Sequence, residues 1–330
     1  MKLRNVTPRL LTAVSGLALV LSLVAFLAVF LPVPTTWPPP APTVVFCVGN
    51  ALLLGLLTRL SLRLAGFPAP WPLVTTAAAA GLWLEPVSRT LVSGGTGLVL
   101  VCLVLWDLRR DERAIGRGLA LGVAAGVAFT PAVFILYLLI TGRVRAGLTA
   151  LASFSGTALL VVFVLGRVPD APQPGALWAL GAGTTAAGLW IARRATSPAW
   201  AVLAVAATAM LVPAPGRAGT WLWCVPLLAV LFAEGHRRAA AALATFLLAR
   251  TLWLAAHQGG PGLAQLSWWQ QPIASPYPLL GLAVLALAAR RGQPPGSPVV
   301  VPGPRAAEPA APSGPTGAKS GGRPAQAAVR

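Results

Sequence analysis

The sequence predicts an all-α, polytopic integral membrane protein, and three observations support this fold class. Hydrophobic residues make up 56% of the 330 residues, and the mean hydropathy is +0.76. Charged residues make up only 10%, against about a quarter in a typical soluble domain. Long apolar runs recur between residues 10 and 289, and they lack the alternating pattern of a transmembrane barrel. Helices are therefore the expected way to satisfy the backbone in lipid.

About twelve apolar segments make up a predicted multi-pass membrane domain over residues 1–291. The first follows the basic stretch "MKLRNVTPRL" and is longer than the core of a signal peptide, so we expect a retained helix. Several segments are shorter than the ~20 residues of a full span, which is tolerated where protein or a water-filled cavity surrounds them. The segments are 10–31, 43–62, 71–84, 95–107, 117–130, 131–142, 146–166, 175–192, 198–213, 219–234, 238–256 and 277–290.

The stretch 117–142 is either one helix or two short helices that meet at Thr130 and Pro131. Proline removes a backbone donor and disfavours helix in the preceding residue, so a break is plausible there. With two segments and a cytoplasmic N-terminus, 21 of the 25 Lys and Arg residues fall on the cytoplasmic side. With one segment the split is 12 against 13. Because cytoplasmic loops carry the excess of basic residues, the charge pattern favours the hairpin and places both termini in the cytoplasm, at the plasma membrane.

Composition also excludes several classes of protein. The net charge of +18 comes from small arginine clusters between apolar runs, which is typical of membrane helices and not of a nucleic-acid-binding face. Three cysteines within or beside apolar runs give neither a disulfide framework nor a metal spacing. The acids Asp107, Asp111, Glu112 and Glu234 lie among arginines, where we expect solvated pairs. Residues 292–330 are rich in Pro, Gly, Ala and Ser and are predicted to form a disordered cytoplasmic tail.

The stretch "EPVSRTLVSG" (85–94) is the most unusual of the predicted outer surface. Glu85 and Arg89 stand at i and i+4, where they would face each other on a helical turn. Such a pair is either structural, each charge making the other tolerable, or a site for a charged ligand. The glycines that follow could offer amides to a phosphate or allow close helix packing. Elsewhere on this surface, Trp268 and Trp269 could stack on a sugar or form part of an interfacial aromatic belt; Trp221 and Trp223 are expected in the belt.

Two stretches together resemble glycosyltransferase family 87. They are "WLEPVSRTLVSGGTGLVLVCLVLWDLRR" (Trp83–Arg110) and "GLALGVAAGVAFTPAVFILYLLITGRVRAGLTALASF" (Gly118–Phe154). The resemblance implies a GT-C-like membrane architecture. It also implies transfer of a sugar from polyprenyl phosphate on the outer side of the membrane, as in the mannosyltransferases and arabinofuranosyltransferases of this family.

The chain departs from the family pattern in several places. Gly95, Gly97 and Ala128 stand where the family usually has Gln, Asn and Lys, although Thr130 and Pro131 are kept. The family's proposed catalytic Asp lies in the loop after the first helix, and here that loop (32–42) contains no acid.

The resemblance leaves Glu85 as the expected base for the acceptor hydroxyl, since such a transfer needs a proton acceptor. The donor phosphate needs cations or amides. For contacts to the substrates we expect Arg89, Gly94, Gly95, Thr130, Arg217, Trp268 and Trp269. No cofactor or metal is expected, because a lipid monophosphate donor does not demand one.

The expected function is therefore transfer of a hexose, with mannose the expected sugar, from polyprenyl phosphate to an envelope glycolipid. The alternative is a catalytically inactive relative that binds lipid-linked sugar or acts as a scaffold. A transporter is less favoured, because few ionisable groups lie deep in the apolar segments.

Overall fold

The computed structural model describes residues 8–30, 41–92, 96–165, 176–212, 218–249 and 277–291, and every regular element among them is helical. The all-α prediction is thus confirmed for this part of the chain. The helices are α1 Pro8–Phe30, α2 Ala41–Leu64, α3 Trp71–Gly81, α4 Glu85–Val92, α5 Gly97–Leu108, α6 Leu119–Val127, α7 Ala132–Ile140, α8 Val144–Leu165, α9 Ala176–Arg194, α10 Pro198–Leu211, a 3-10 helix Ala218–Trp223, α11 Cys224–Ala233, α12 Arg237–Leu248 and α13 Tyr277–Arg291.

Within the described ranges, one helix is long and apolar enough to cross a membrane by itself. It is Val144–Val164 of α8, 21 residues with a mean hydropathy of 1.9. Four more apolar helices are shorter: Leu10–Ala25, Gly97–Leu108, Pro198–Leu211 and Trp221–Ala233. The count of twelve membrane segments therefore stays a prediction, and the predicted tail lies outside the described residues.

The stretch 117–142 forms two helices, as the charge pattern indicates. α6 ends at Val127, and the backbone leaves the helix at Ala128 before Pro131 starts α7. Both helices pack on α8, where Gly118, Gly122 and Gly126 of α6 contact successive turns. Gly118 has a φ of +95° and abuts the carbonyl of Ala146, which a side chain would block. The two helices thus form a hairpin with its turn at residues 128–131.

α10 lies at the centre of the helix packing. Its residues from Ala199 to Met210 are all buried, and it contacts α7, α9, α13 and the 3-10 helix. The sequence "PAWAVLAVAATAML" is apolar on every side, as expected of a helix that is surrounded by others. Ser197 caps its first turn by accepting a hydrogen bond from the backbone N–H of Ala199 at 3.2 Å.

The helix ends group into two regions, which we name the basic end and the site end. At the basic end, Arg109 after α5 donates to the carbonyl of Leu60 in α2 at 3.5 Å, and Arg143 before α8 pairs with Glu112 at 3.0 Å. The site end comprises the start of α5, the turn of the α6–α7 hairpin, the end of α10 and the 3-10 helix. These four elements line one cleft.

Asp107 at the basic end is not the solvated acid that the sequence suggests. It is 2% exposed, and its carboxylate accepts the backbone N–H groups of Gly118 and Leu121, both at 3.0 Å. These amides belong to the first turn of α6, where a negative charge is stabilising. Asp107 therefore joins α5 to α6, and this is the physical reason that the expectation was wrong.

Candidate functional site

The segment that the sequence suggests as outer surface forms the short helix α4. Pro86 sits in its first turn, where the missing N–H costs nothing. Val87 and Leu91 at i and i+4 are both buried, and α4 packs on the 3-10 helix. Thr90 donates to the carbonyl of Pro86 at 2.8 Å. Most of 85–92 is consequently enclosed by other helices, and its location on the outer side of the membrane stays a prediction.

Glu85 begins α4 and is 1% exposed. The hydroxyl of Tyr277 donates to its Oε2 at 2.9 Å, and Nε of Arg89 lies 3.5 Å from its Oε1. The ion pair predicted from the i, i+4 spacing is thus confirmed. A buried carboxylate is costly unless it is paired, so these two contacts, together with the position at a helix N-terminus, account for its burial.

Arg89 has capacity left for a ligand. Its side chain is 34% exposed. Nε and Nη2 are buried, and neither makes a hydrogen bond within the part of the chain that the structure describes. A guanidinium presents its donors in a planar fork that matches phosphate or carboxylate oxygens. The arrangement can therefore bind an anion while Glu85 holds the other side of the guanidinium.

Tyr277 is the site residue that sequence reasoning missed. It begins α13, is 1% exposed, and lies 192 positions from Glu85 in the chain. Its ring packs 5.5 Å from Trp221 and 6.0 Å from Phe246. The signal available was modest: it is one of only two tyrosines, with a hydroxyl at the edge of an apolar run that needs a partner when buried.

Thr130, another predicted site residue, is half-buried in the turn of the α6–α7 hairpin and lines an apolar cleft of about 80 Å³ at the site end. The opposite wall is Leu222 and Trp223 of the 3-10 helix, and Trp223 stacks on Phe134 at 5.2 Å. Trp221 and Trp223 are 8% and 7% exposed. The belt expectation for these two was wrong, because their rings fill space between helices.

Glu85, Arg89 and Tyr277 together form what we name the Glu85 group. The 3-10 helix lies between the cleft and this group. Trp221 contacts Tyr277 on one side, whereas Leu222 and Trp223 face the cleft. A polar group and an apolar cleft are thereby neighbours at the site end. The other predicted contacts, Gly94, Gly95, Arg217, Trp268 and Trp269, lie outside the described residues. Among the described residues, no group of three His, Cys, Asp or Glu side chains could hold a metal ion.

Comparison with known proteins gives a consistent set of similarities. The profile of glycosyltransferase family 87 matches residues 24–173. A polyprenol-phosphate-mannose-dependent alpha-(1-2)-phosphatidylinositol mannoside mannosyltransferase of Mycobacterium tuberculosis is 31% identical over 288 residues, covering 72% of this chain and 66% of that protein. The protein with the same description from Mycolicibacterium smegmatis is 28% identical over 231 residues, covering 56% and 52%.

A third similarity is to a polyprenol-phosphate-mannose-dependent alpha-(1-2)-phosphatidylinositol pentamannoside mannosyltransferase of Mycolicibacterium smegmatis. It is 31% identical over 149 residues, covering 41% of this chain and 36% of that protein. The chain therefore spans just under two thirds of the first relative and about half of the second. No solved structure matches the chain.

Proposed function

Because this chain belongs to glycosyltransferase family 87, we propose that it is a membrane mannosyltransferase. It takes mannose from polyprenyl phosphate and transfers it to an envelope glycolipid at the outer face of the plasma membrane. The observation that carries the proposal is Arg89, whose side chain is 34% exposed, whose Nε faces the buried carboxylate of Glu85 and whose Nη2 makes no hydrogen bond among the described residues.

The donor's two parts match the two parts of the site end. Its phosphate accepts hydrogen bonds from Arg89, whose fork suits two phosphate oxygens. Its isoprenoid chain enters the apolar cleft between the α6–α7 turn and Trp223, where burial of hydrocarbon is favourable. Thr130, in the turn, lies at the wall of the same cleft. The acceptor is a glycolipid with a free sugar hydroxyl, and the relatives are named for phosphatidylinositol mannoside, which is a glycolipid.

In the transfer, the acceptor oxygen bonds to the anomeric carbon as the bond from that carbon to the phosphate oxygen breaks. Polyprenyl phosphate leaves with the electron pair, and Arg89 stabilises the charge that develops on it. Glu85 takes the proton of the acceptor hydroxyl. Within the described residues it is the sole carboxylate at the site end, since Asp107, Asp111, Glu112 and Glu234 lie in or beside segments of the basic end.

A second candidate function, binding of lipid-linked sugar without transfer, is favoured by one observation. Both oxygens of Glu85 already have partners, and the residue is 1% exposed. A base must reach the proton that it removes, so an acceptor hydroxyl would have to replace Tyr277. If it does not, Glu85 only orients Arg89, and the protein holds the donor for another enzyme.

The test is transfer of labelled mannose from polyprenyl phosphate mannose to lipid acceptors in membranes that contain the full chain. We expect transfer by the wild type and a loss of about 10²- to 10⁴-fold in E85Q, as for removal of a general base. E85Q should still retain the donor lipid after purification. The matched control is E112Q, since Glu112 is a 70% exposed acid at the basic end, and it should transfer as the wild type does.

Three results would distinguish the proposals. No transfer by the wild type, with donor lipid still bound, favours the binding protein. Wild-type activity in E85Q leaves the transfer intact but removes Glu85 as the base. Neither transfer nor donor binding contradicts both candidate functions.

A further inference from the structure

A second cationic group lies at the basic end, away from the proposed transfer site. It consists of Arg59 and Arg63 on α2, Arg109 after α5, and Trp71 at the start of α3; we name it the Arg59 cluster. The guanidinium of Arg59 lies 4.9 Å from the centre of the Trp71 ring. Arg109 donates to the carbonyl of Leu60, the neighbour of Arg59, at 3.5 Å. Two helices thus bring three guanidinium groups to one place.

The Arg59 cluster differs from three other arginines of the basic end. Arg110, Arg143 and Arg291 each pair with an acid, namely Asp107, Glu112 and Glu234. Within the described residues, no such pair forms at Arg59, Arg63 or Arg109. Like charges at i and i+4 are destabilising on a helix, so Arg59 and Arg63 repel each other, and no acid among the described residues pairs with either.

Two further features favour the binding of an anion at this cluster. Nε of Arg59 is buried and has no hydrogen-bond partner in the part of the chain that the structure describes. Desolvation, followed by the charge of Arg63, lowers the pKa of Arg109. A phosphate placed between the three guanidinium groups would supply the acceptor and relieve the repulsion.

The surface beside the cluster indicates that this phosphate carries hydrocarbon chains. Leu52 and Leu56 precede Arg59 and Arg63 on the same face of α2, at the 4, 3 and 4 spacing of a helical stripe. Leu52 is 70% exposed and Leu56 is 41% exposed. Trp71 is 57% exposed, and tryptophan favours the headgroup level of a bilayer. An apolar stripe that ends in arginines beside a tryptophan fits a phospholipid, with its chains along α2 and its phosphate on the arginines.

We propose that the Arg59 cluster is a binding site for the headgroup of an anionic phospholipid. This site is independent of mannosyl transfer, because it uses none of the residues of the Glu85 group. It provides a lipid anchor for the junction of α2, α3 and α5 at the opposite end of the molecule.

The test uses the full chain in a non-ionic detergent and native mass spectrometry with added phosphatidylglycerol or phosphatidylcholine. We expect the wild type to bind phosphatidylglycerol at least tenfold more tightly than it binds phosphatidylcholine. In R59Q/R63Q/R109Q the affinity for phosphatidylglycerol should fall about fivefold per arginine, roughly a hundredfold in all. Each basic residue near anionic lipid contributes on the order of 1 kcal/mol. The control R113Q/R145Q/R193Q removes the same charge from exposed arginines and should still prefer phosphatidylglycerol over phosphatidylcholine.

A second variant separates binding from folding. R59K/R63K/R109K keeps the charge but removes the planar forks, so it should elute as the wild type does in size exclusion and bind with intermediate affinity. Equal binding by the wild type and the glutamine variant would overturn the proposal, and so would an equal loss in the control. Competition by millimolar inorganic phosphate as strong as that by the intact lipid would replace the lipid site with a free-phosphate site.

Discussion

At the scale of single residues, the Glu85 group (Glu85, Arg89 and Tyr277) both stabilises a buried carboxylate and holds a guanidinium that could bind a ligand. Glu85 is buried, and Arg89 and Tyr277 supply a cation and a hydrogen bond that stabilise its charge. Arg89 turns Nε toward Glu85 and keeps Nη2 without a hydrogen bond among the described residues. Arg89 therefore has two roles: it stabilises the carboxylate of Glu85, and it is the group that would contact a ligand.

This coupling gives a stability prediction. R89Q leaves a buried carboxylate with one partner fewer, and we expect unfolding to become easier by on the order of 2–3 kcal/mol. E85Q/R89Q removes both charges and should recover most of the loss, because no unpaired charge remains. The measurement is thermal unfolding of the detergent-solubilised protein. A double variant as unstable as the sum of the two single variants would show that the two residues do not interact.

Tyr277 gives a separate prediction, because its hydroxyl donates a hydrogen bond to Glu85. Y277F keeps the ring contact with Trp221 and removes one hydrogen bond, so we expect a stability loss of about 1 kcal/mol. Thermal unfolding measures it. The control is Y137F, since the ring of Tyr137 is also buried but lies on α7, outside the Glu85 group. A larger loss in Y137F than in Y277F would contradict the importance of the bond to Glu85.

The sequence predicts one of the two contacts of Glu85 and not the other. The i, i+4 spacing of Glu85 and Arg89 fixes their contact once the segment is helical, so the ion pair could be predicted. Tyr277 could not, since nothing local connects positions 192 residues apart. Helix packing brings them together, and that depends on the whole chain.

At the scale of elements, the α6–α7 hairpin on α8 is a contact built on glycine. Gly122 faces Ala150, Ser153 and Phe154 so closely that a Cβ atom would overlap them. In membranes, small residues let helices approach and gain dispersion contacts. The hairpin turn also forms one wall of the apolar cleft, so the fit of α6 on α8 positions Thr130.

The glycine contact predicts a strong effect from one methyl group. G122A should push α6 from α8 and destabilise the protein by about 1–3 kcal/mol, as overpacking does. The control is G156A on α8, where a Cβ would meet nothing within 4 Å. It should be neutral or stabilising by up to about 1 kcal/mol, because alanine is the better helix former. Thermal unfolding of both variants tests this, and equal stability of the two would contradict the close contact.

Among the elements, the sequence indicates the hairpin but not α4. Proline at 131 and the basic residues on either side of 117–142 both favour a break, and their physical causes act locally. α4 has only eight residues, five of them polar or proline, so periodicity could not separate it from a loop. Its helical form depends on Val87 and Leu91 packing on the 3-10 helix, a contact set by distant segments.

At the scale of the molecule, charge and chemistry separate along the helix bundle. Arg109, Arg110, Arg117 and Arg143 gather at the basic end, where Arg110 pairs with Asp107 and Arg143 with Glu112. The Glu85 group and the cleft occupy the site end. Because cytoplasmic loops carry the excess of basic residues, the basic end should face the cytoplasm and the site end the outer face. A lipid-linked sugar and a glycolipid acceptor on the outer face could then both reach Arg89.

Cysteine labelling tests this orientation. In a background with Cys47, Cys102 and Cys224 replaced by alanine, we place V144C at the start of α8 and F129C in the hairpin turn; both side chains are exposed, at 51% and 44%. A membrane-impermeant maleimide should label F129C in intact cells, whereas V144C should react only after permeabilisation. The cysteine-free protein is the control for background. Labelling of V144C from outside would reverse the orientation and with it the outer-face transfer, because the hairpin places residues 129 and 144 at opposite ends of the same helix pair.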